Sequence, residues 1–441
     1  MSMGLFTVLI FVGIFIGVFM GFPIAFTLAG LGAVFGFIGW GDSIIPLMAS
    51  KSFAVMQNYT YVSIPLFIFM GAMLDKSGVA DKAFAVLNYW LRNIKGGLAI
   101  ATIILCTIFA ACTGVVGASV TAMGLLALPP MIKRGYNHAL ATGVVASGGT
   151  LGILIPPSIM LVLYGPMANI SVVDLFSSAI VPGLMLAGGY LAYVIVFVHV
   201  KKDAIVTPPD YEGDNEVYTI MDGIKAFVPF MFIIFMVLGL ILFGVCSPTE
   251  ASAAGAFGAI ILAAAYKKIN VKVLFESGKS TLATSAMVMF VAVGANIFTS
   301  VFFGCGCDRV MTNFVMNLGF GMWGTLIAVL ILVFILGMLI DWIGILLIVI
   351  PIFLPIMAEY GIDTLWASML IIVMLQSSFL TPPFAYALFY IKGIAPKGVT
   401  IGSIYKGVIP FICIIFIVLG LLMMFPGIVH FLPNLMKSLQ G

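Results

Sequence analysis

Apolar runs of about 20 residues, the length that carries a helix across a bilayer core of roughly 30 Å, recur along the whole chain and are parted by short polar or glycine-proline breaks. The clearest are Gly4 to Phe22 and Phe227 to Gly244. This pattern predicts helices at about 4–22, 23–41 and 61–75, a surface segment at 76–95, a hairpin at 97–131, a broken helix at 137–167 and a helix at 174–200. After a polar joint the second half is expected to repeat the series, with a hairpin at 322–357 and a broken helix at 363–395. No basic flank precedes the first run and no small-residue cleavage pattern follows it, which predicts a retained helix rather than a signal peptide.

Sliding the chain along itself produces a match at an offset of 226 residues, as from Pro129 to Pro355. Leu128, Met131, Gly135, Ala141, Pro156, Pro157 and Tyr164 then meet Leu354, Met357, Gly361, Ala367, Pro382, Pro383 and Tyr390. Identities among leucines carry little information in such a chain, but paired prolines and glycines mark the same backbone breaks in both halves. The register drifts by a few residues elsewhere, so that Gly71 meets Gly294, Gly30 meets Gly255 and Pro182 meets Pro410. The expected organisation is a first repeat at 1–200, a polar cytoplasmic linker at 201–223 and a second repeat at 224–441.

Composition sharpens the membrane reading, because 63% of residues are hydrophobic and only 8% are charged. The net charge of +3 is too small to point to nucleic acid, and the basic residues are better explained by topology. Lys76, Lys82, Arg92 and Lys95 follow the third helix of the first half, where the second half has only Arg309. Conversely, Lys51 stands alone where the second half carries Lys267, Lys268, Lys272 and Lys279. The positive sides are exchanged, which requires the second half to lie inverted in the membrane. With both termini outside, only Lys51, Arg309 and Lys437 of the 19 basic residues fall on the outer side. The expected fold class is therefore an all-α polytopic integral membrane protein with an inverted-topology repeat, two re-entrant hairpins and two broken helices.

Irregular backbone at membrane depth survives only where it is buried in protein or lines a cavity. Four such places are expected, in two symmetric pairs. Thr113-Gly114, followed by Gly117, Ser119 and Thr121, breaks the first hairpin, and Gly337 to Asp341 breaks the second. The broken helices supply Ser147 to Ser158, with Gly148, Gly149, Thr150, Gly152, Pro156 and Pro157, and Gln376 to Pro383. Tandem prolines withhold two amide donors and free the carbonyls near Gly152 to Pro156, which with a hydroxyl suit a small hard cation, while the half-helix N-termini attract an anion. An acidic residue at such depth is expensive and by default handles substrate or ion, which singles out Asp341 beside Gln376. Ser119, Thr121, Thr150, Asp341, Gln376 and Ser377 are the candidate substrate contacts.

Other chemistries find little support. His138, His199 and His430 form no pair suited to haem, HExxH is absent, and so is a GxxxxGK[ST] loop. The six cysteines lack metal-ligand spacing, and Cys305 and Cys307 form only a CxC, which suits small buried thiols. No catalytic residues and no cofactor are expected.

At these residues the chain resembles the large membrane subunit of the tripartite ATP-independent periplasmic (TRAP) transporters. The resembling stretches are Thr113 to Ser119, Leu128 to Tyr136, Gly149 to Ser158, Gly337 to Asp341 and Leu380 to Pro383, spaced as in that family. The chain has Thr-Gly-Val-Val at the first tip, where many relatives have Ser-Gly-Ser-Ser, and Gln376 where many have an acidic residue. The resemblance implies an elevator-type carrier of a bacterial inner membrane, coupled to Na+ and importing an organic anion such as a C4-dicarboxylate. It further implies two partners, a small four-helix membrane subunit on a separate chain and a periplasmic substrate-binding protein. By motif position it places one sodium site near Thr113, Gly152, Ile155 and Pro156 and another near Gly337, Ser378, Thr381 and Phe384. Residues 378, 381 and 384 stand 226 positions after 152, 155 and 158, so the two sets are related by the repeat. Two other readings stay open: a self-sufficient sodium-coupled anion carrier or antiporter, and a structural or coupling membrane subunit without a substrate site.

Overall fold

The computed structural model describes residues 3–201, 204–205, 217–383 and 385–440. Most of the expected joint at 201–223, and Phe384 of the second expected sodium site, lie outside the described residues. Everything described is helix and connection apart from one isolated antiparallel bridge between Tyr136 and Ile205. Among the described residues eight helices are long and apolar enough to cross a membrane, or up to ten when two bent pairs are each taken as one span.

The first half runs through α1 (Met3–Phe19), α2 (Ile24–Trp40), α3 (Ile44–Met56), α4 (Ser63–Lys76), α5 (Val79–Trp90), α6 (Gly97–Thr113), α7 (Val116–Lys133), α8 (His138–Thr150), α9 (Ile159–Ala168) and α10 (Val172–Val200). The second half follows with α11 (Ile220–Ile234), a π-helical turn at Phe235–Gly239, α12 (Leu240–Leu242), α13 (Pro248–Ala265), α14 (Val271–Gly304), α15 (Cys307–Asn317), α16 (Gly321–Gly337), α17 (Trp342–Glu359), α18 (Thr364–Ser378), α19 (Tyr386–Ile394), α20 (Ile401–Met424) and α21 (Gly427–Gln440).

Local chemistry repeats with the sequence. Asn137 and Asp363, 226 positions apart, each cap the helix that follows by accepting from an amide, of Ala139 at 2.9 Å and of Trp366 at 2.7 Å. Gly135 and Gly361 precede these caps with φ of +74° and +71°, a conformation that costs glycine little. Both Pro-Pro bonds, Pro156-Pro157 and Pro382-Pro383, are cis.

Packing repeats as well. Helix α2 lies against α14 and α4 against α13, the same pairing with the halves exchanged. The α2–α14 crossing is close because Gly32 and Gly294 lack side chains; a Cβ on Gly294 would stand 2.5 Å from the carbonyl oxygen of Ala25. An ion pair at 2.6 Å between Lys76 and Glu276 joins α4 to α14 at their charged ends. The exposed faces of α1, α2, α11 and α14 carry Leu5, Phe26, Phe37, Phe232 and Phe290, as lipid-facing helices do.

The centre is built from the breaks. Every residue of α8 from Leu140 to Thr150 is buried, and every residue of α18 from Trp366 to Ser378. Helices buried on all sides must be apolar or internally bonded all round. Thr142 and Ser368 meet that demand by donating to backbone carbonyls one turn back, at 2.8 and 2.6 Å.

Two elements were not anticipated. Helix α3 fills the interval between the second and third expected helices, whereas its counterpart in the second half merges into the uninterrupted 34-residue α14. The positions that the repeat would pair with helix α21 lie mostly outside the described residues. Helix α21 packs against α10, and Asp174 of α10 lies 4.0 Å from Lys437.

Candidate functional site

The first break begins where α6 ends. Gly114 takes the left-handed conformation, φ +61°, and lets the chain reverse into α7. A Cβ there would lie 3.1 Å from the carbonyl oxygen of Pro157, so the hairpin tip sits directly on the unwound part of the first broken helix. Thr113 is 1% exposed; its hydroxyl is 2.7 Å from that of Ser119 and 3.1 Å from the carbonyl of Phe109. Gly152 faces the same two hydroxyls, its Cβ position being 3.6 Å from Ser119 Oγ and 3.8 Å from Thr113 Oγ1.

Beyond Thr150 the helix tightens into a 3-10 turn at Leu151–Ile153 and then loses its helical bonds. Pro156 and Pro157 have no amide hydrogen to return to Gly152 and Ile153. The Ile153 carbonyl accepts instead from the hydroxyl of Ser158. Thr113, Ser119 and Gly152 form one oxygen-bearing cluster; Ile155 and Pro156, three and four residues after Gly152, are buried as well. Thr150 turns away, donating to the Ser147 carbonyl at 2.9 Å.

The second break mirrors this arrangement with different side chains. Gly337 ends α16 against Ser378, and a Cβ on Gly337 would stand 1.9 Å from Ser378 Oγ. Thr381 donates to the carbonyl of Ser377 at 2.7 Å, and Ser377 donates to that of Met374 at 2.6 Å. The Phe379 carbonyl, which Pro383 cannot serve, accepts from the amide of Ala387 at 3.1 Å. Gln376 is fully buried, and among the described residues neither its amide nitrogen nor its amide oxygen has a hydrogen-bond partner; Ser378 Oγ has none either. Burying an amide without compensation costs about 1–3 kcal/mol on protein scales, so such groups mark places where a protein handles something polar. Gly337 thus meets Ser378 beside the Ser377–Thr381 pair, with Gln376 one residue before Ser377, while Phe384 lies outside the described residues.

Asp341 sits at the N-cap of α17 with extended backbone, its carboxyl facing the backbone amides of Trp342 and Ile343. It lies within electrostatic reach of Tyr386 at the start of α19. Tyr390 donates to the Tyr386 hydroxyl at 3.1 Å, and its ring occupies the space that Gly117 leaves open, 2.9 Å from where a Cβ would be. The two tyrosines therefore connect the hairpin tip of each half. With Thr121, Phe389 and Ile394 they line an open groove of 560 Å³. Thr121 faces this groove and not the Thr113–Ser119 cluster. Sequence reasoning passed over Tyr386, and Tyr390 entered only as the repeat partner of Tyr164; the signal available was a pair of tyrosines one turn apart directly after a Pro-Pro break.

No group of three His, Cys, Asp or Glu able to hold a metal is found among the described residues. The donors gathered at both breaks are hydroxyl and carbonyl oxygens, which match a hard, weakly bound cation better than a transition metal.

Several known proteins are similar to this chain. The chain is similar in fold to the YdaH transporter of Alcanivorax borkumensis, described as having an unusual topology, with a TM-score of 0.67 at 13% identity over 92% of this chain and 98% of that one. It is 32% identical over 410 residues to a C4-dicarboxylate TRAP transporter large permease protein of Pseudomonas aeruginosa, covering 92% of this chain and 93% of the relative. It is 28% identical to an ectoine TRAP transporter large permease protein of Halomonas elongata, covering 93% of each. An isethionate TRAP transporter permease protein of Oleidesulfovibrio alaskensis is 29% identical over 91% of this chain, which spans 62% of that longer protein. The family model for the tripartite ATP-independent periplasmic transporter, DctM component, matches residues 7–428. With nearly its whole length matched and its breaks placed in symmetric pairs, the chain belongs to the DctM family, the large permease component of the tripartite ATP-independent periplasmic transporters.

Proposed function

We propose that this permease imports a small organic anion, of the carboxylate or sulfonate class, in symport with Na+ and by an elevator movement of the hairpins and broken helices against the remaining helices. The observation that carries the reading is the pair of clusters in which each hairpin tip rests on the unwound helix of its own half. Gly152 is held by Thr113 and Ser119, and Gly337 by Ser378. Sodium ions are the cargo assigned to these clusters, at Thr113, Gly152, Ile155 and Pro156 and at Gly337, Ser378 and Thr381. Freed carbonyls and hydroxyls replace water around such an ion at little cost, and a site closed only when the ion is present couples its gradient to movement. Ser119, Asp341, Gln376 and Ser377 are assigned to the substrate side, with Thr121 at the groove and Thr150 lending its backbone.

The names of the relatives support the breadth of this class rather than one substrate: a C4-dicarboxylate, isethionate and ectoine are named among them. The family membership implies a small membrane subunit and a periplasmic binding protein. The exchange of basic residues between the halves favours 1–200 and 224–441 as inverted repeats with both termini on the periplasmic side.

The test is uptake of a labelled organic-acid panel into proteoliposomes holding the permease and its small subunit, with Na+ and the binding protein each supplied or omitted. Uptake requiring both is the expected result. Sodium-driven uptake without the binding protein would replace this reading by a self-sufficient carrier, and no uptake under any condition by a coupling subunit. Within the same assay Thr113→Val, which keeps the volume and removes the hydroxyl, is expected to raise the sodium half-saturation at least fivefold. It leaves the buried Ser119 hydroxyl without its 2.7 Å partner, so stability should fall by about 1–3 kcal/mol. An unchanged sodium dependence in a folded variant would remove Thr113 from the site.

A further inference from the structure

Away from the breaks, a cavity of 420 Å³ opens where α5, α11 and the end of α13 meet. Lys82, Lys225 and Tyr266 line its polar side, and Ile224, Val228 and Pro229 its apolar side. We propose that this cavity binds an anionic phospholipid, its phosphate between the ammonium groups of Lys82 and Lys225 and its acyl chains along α11.

Three independent features favour a lipid. The first is depth. Trp90 stacks on Phe227 with ring centroids 6.4 Å apart, and Tyr89 packs edge-on against Tyr218 at 5.9 Å. Tryptophan and tyrosine collect at the headgroup level of a membrane. The second is continuity. Ile224, Val228, Met231 and Phe235 of the segment that begins with α11 are 50%, 55%, 48% and 60% exposed, so an apolar stripe at helical spacing runs from the cavity toward the membrane centre.

The third is charge. Lys82 and Lys225 converge from different helices. Asp222 lies within electrostatic reach of both, but its carboxylate is turned to its own helix cap, accepting from the Thr219 amide at 2.9 Å and the Thr219 hydroxyl at 2.8 Å. The Tyr266 hydroxyl donates to the Lys225 carbonyl at 3.0 Å and so fixes the end of α13 beside α11. A phosphodiester over an apolar track complements this surface, as basic pockets between membrane helices do for anionic headgroups.

Native mass spectrometry and thermal unfolding of the full chain in detergent test the assignment, with phosphatidylglycerol, phosphatidylcholine or inorganic phosphate added. Phosphatidylglycerol is expected to be retained as discrete adducts and to raise the unfolding midpoint. The double variant Lys82→Gln/Lys225→Gln should weaken both effects at least tenfold while eluting as a folded protein. Should that variant not fold, Ile224→Trp, which fills the cavity and keeps both lysines, should have the same consequence. Equal retention of phosphatidylcholine, or phosphate acting as strongly as the lipid, would overturn the proposal. So would displacement of the lipid by the small membrane subunit, since the cavity would then be a protein interface.

Discussion

Replacing Gly337 by alanine is expected to reduce sodium-driven uptake at least tenfold. The added methyl would stand 1.9 Å from Ser378 Oγ, 2.6 Å from Ser378 Cβ and 3.3 Å from its Cα. Rotating the serine hydroxyl away relieves only the first of these contacts. The tip of α16 or the end of α18 must therefore move, at an overpacking cost of about 1–3 kcal/mol. That displacement falls on Ser378 beside the Ser377–Thr381 pair, with Gln376 one residue before Ser377. The double variant Gly337→Ala/Ser378→Gly removes the obstructing Cβ, so it should regain thermal stability without regaining the sodium affinity that the lost hydroxyl supported. Initial uptake rates and unfolding midpoints of both variants decide the matter, and wild-type transport by Gly337→Ala would show that tip and break do not meet as described.

A large loss of stability is expected from Gly407→Ala. Helices α8 and α20 cross with backbone against backbone: a Cβ on Gly407 would lie 2.1 Å from the carbonyl oxygen of Ala139, and one on Gly143 would lie 2.2 Å from that of Gly407. No side chain is available to rotate away, so the helices must separate, at or beyond the upper end of the roughly 1–3 kcal/mol usual for overpacking. Because α8 runs directly into the break at Thr150, a shift here reaches Gly152 and Thr113. Gly143→Ala should behave alike. Gly188→Ala and Gly420→Ala serve as contrasts, since nothing lies within 4 Å of either Cβ position. Both should be neutral or slightly stabilising, because alanine favours a helix over glycine by about 1 kcal/mol. Thermal unfolding in detergent separates the two groups, and a Gly407→Ala midpoint equal to that of Gly188→Ala would contradict the crossing.

How much of this could be read beforehand follows from where the information resides. The breaks were legible because proline and glycine act through the backbone of their own turn, as at Pro156-Pro157, Pro382-Pro383 and Gly114; proline alone does not decide, since Pro129-Pro130 lies inside α7 and Pro355 inside α17. Helices α3 and α21 were not legible. The first is short and flanked by polar residues, and the second carries Lys437 and Ser438 in a mixed segment that becomes a helix against α10. The candidate site was legible in part. Thr113, Gly152, Gly337 and Ser378 could be placed because a repeat fixes their register, but the roles of Tyr386 and Gly117 depend on a contact between halves that no local pattern encodes.

The sequence alone determined that this is a membrane protein, that its halves are inverted copies and that each is broken twice. Hydrophobic length, charge asymmetry and the placing of prolines and glycines are properties of the chain that any folding must respect. Only the tertiary structure decided which hydroxyl faces which glycine, that Gln376 is buried with neither amide atom bonded, and that two tyrosines join the hairpin tips. Those facts arise from side chains far apart in sequence meeting within a few ångströms, and close packing, not local propensity, selects such meetings.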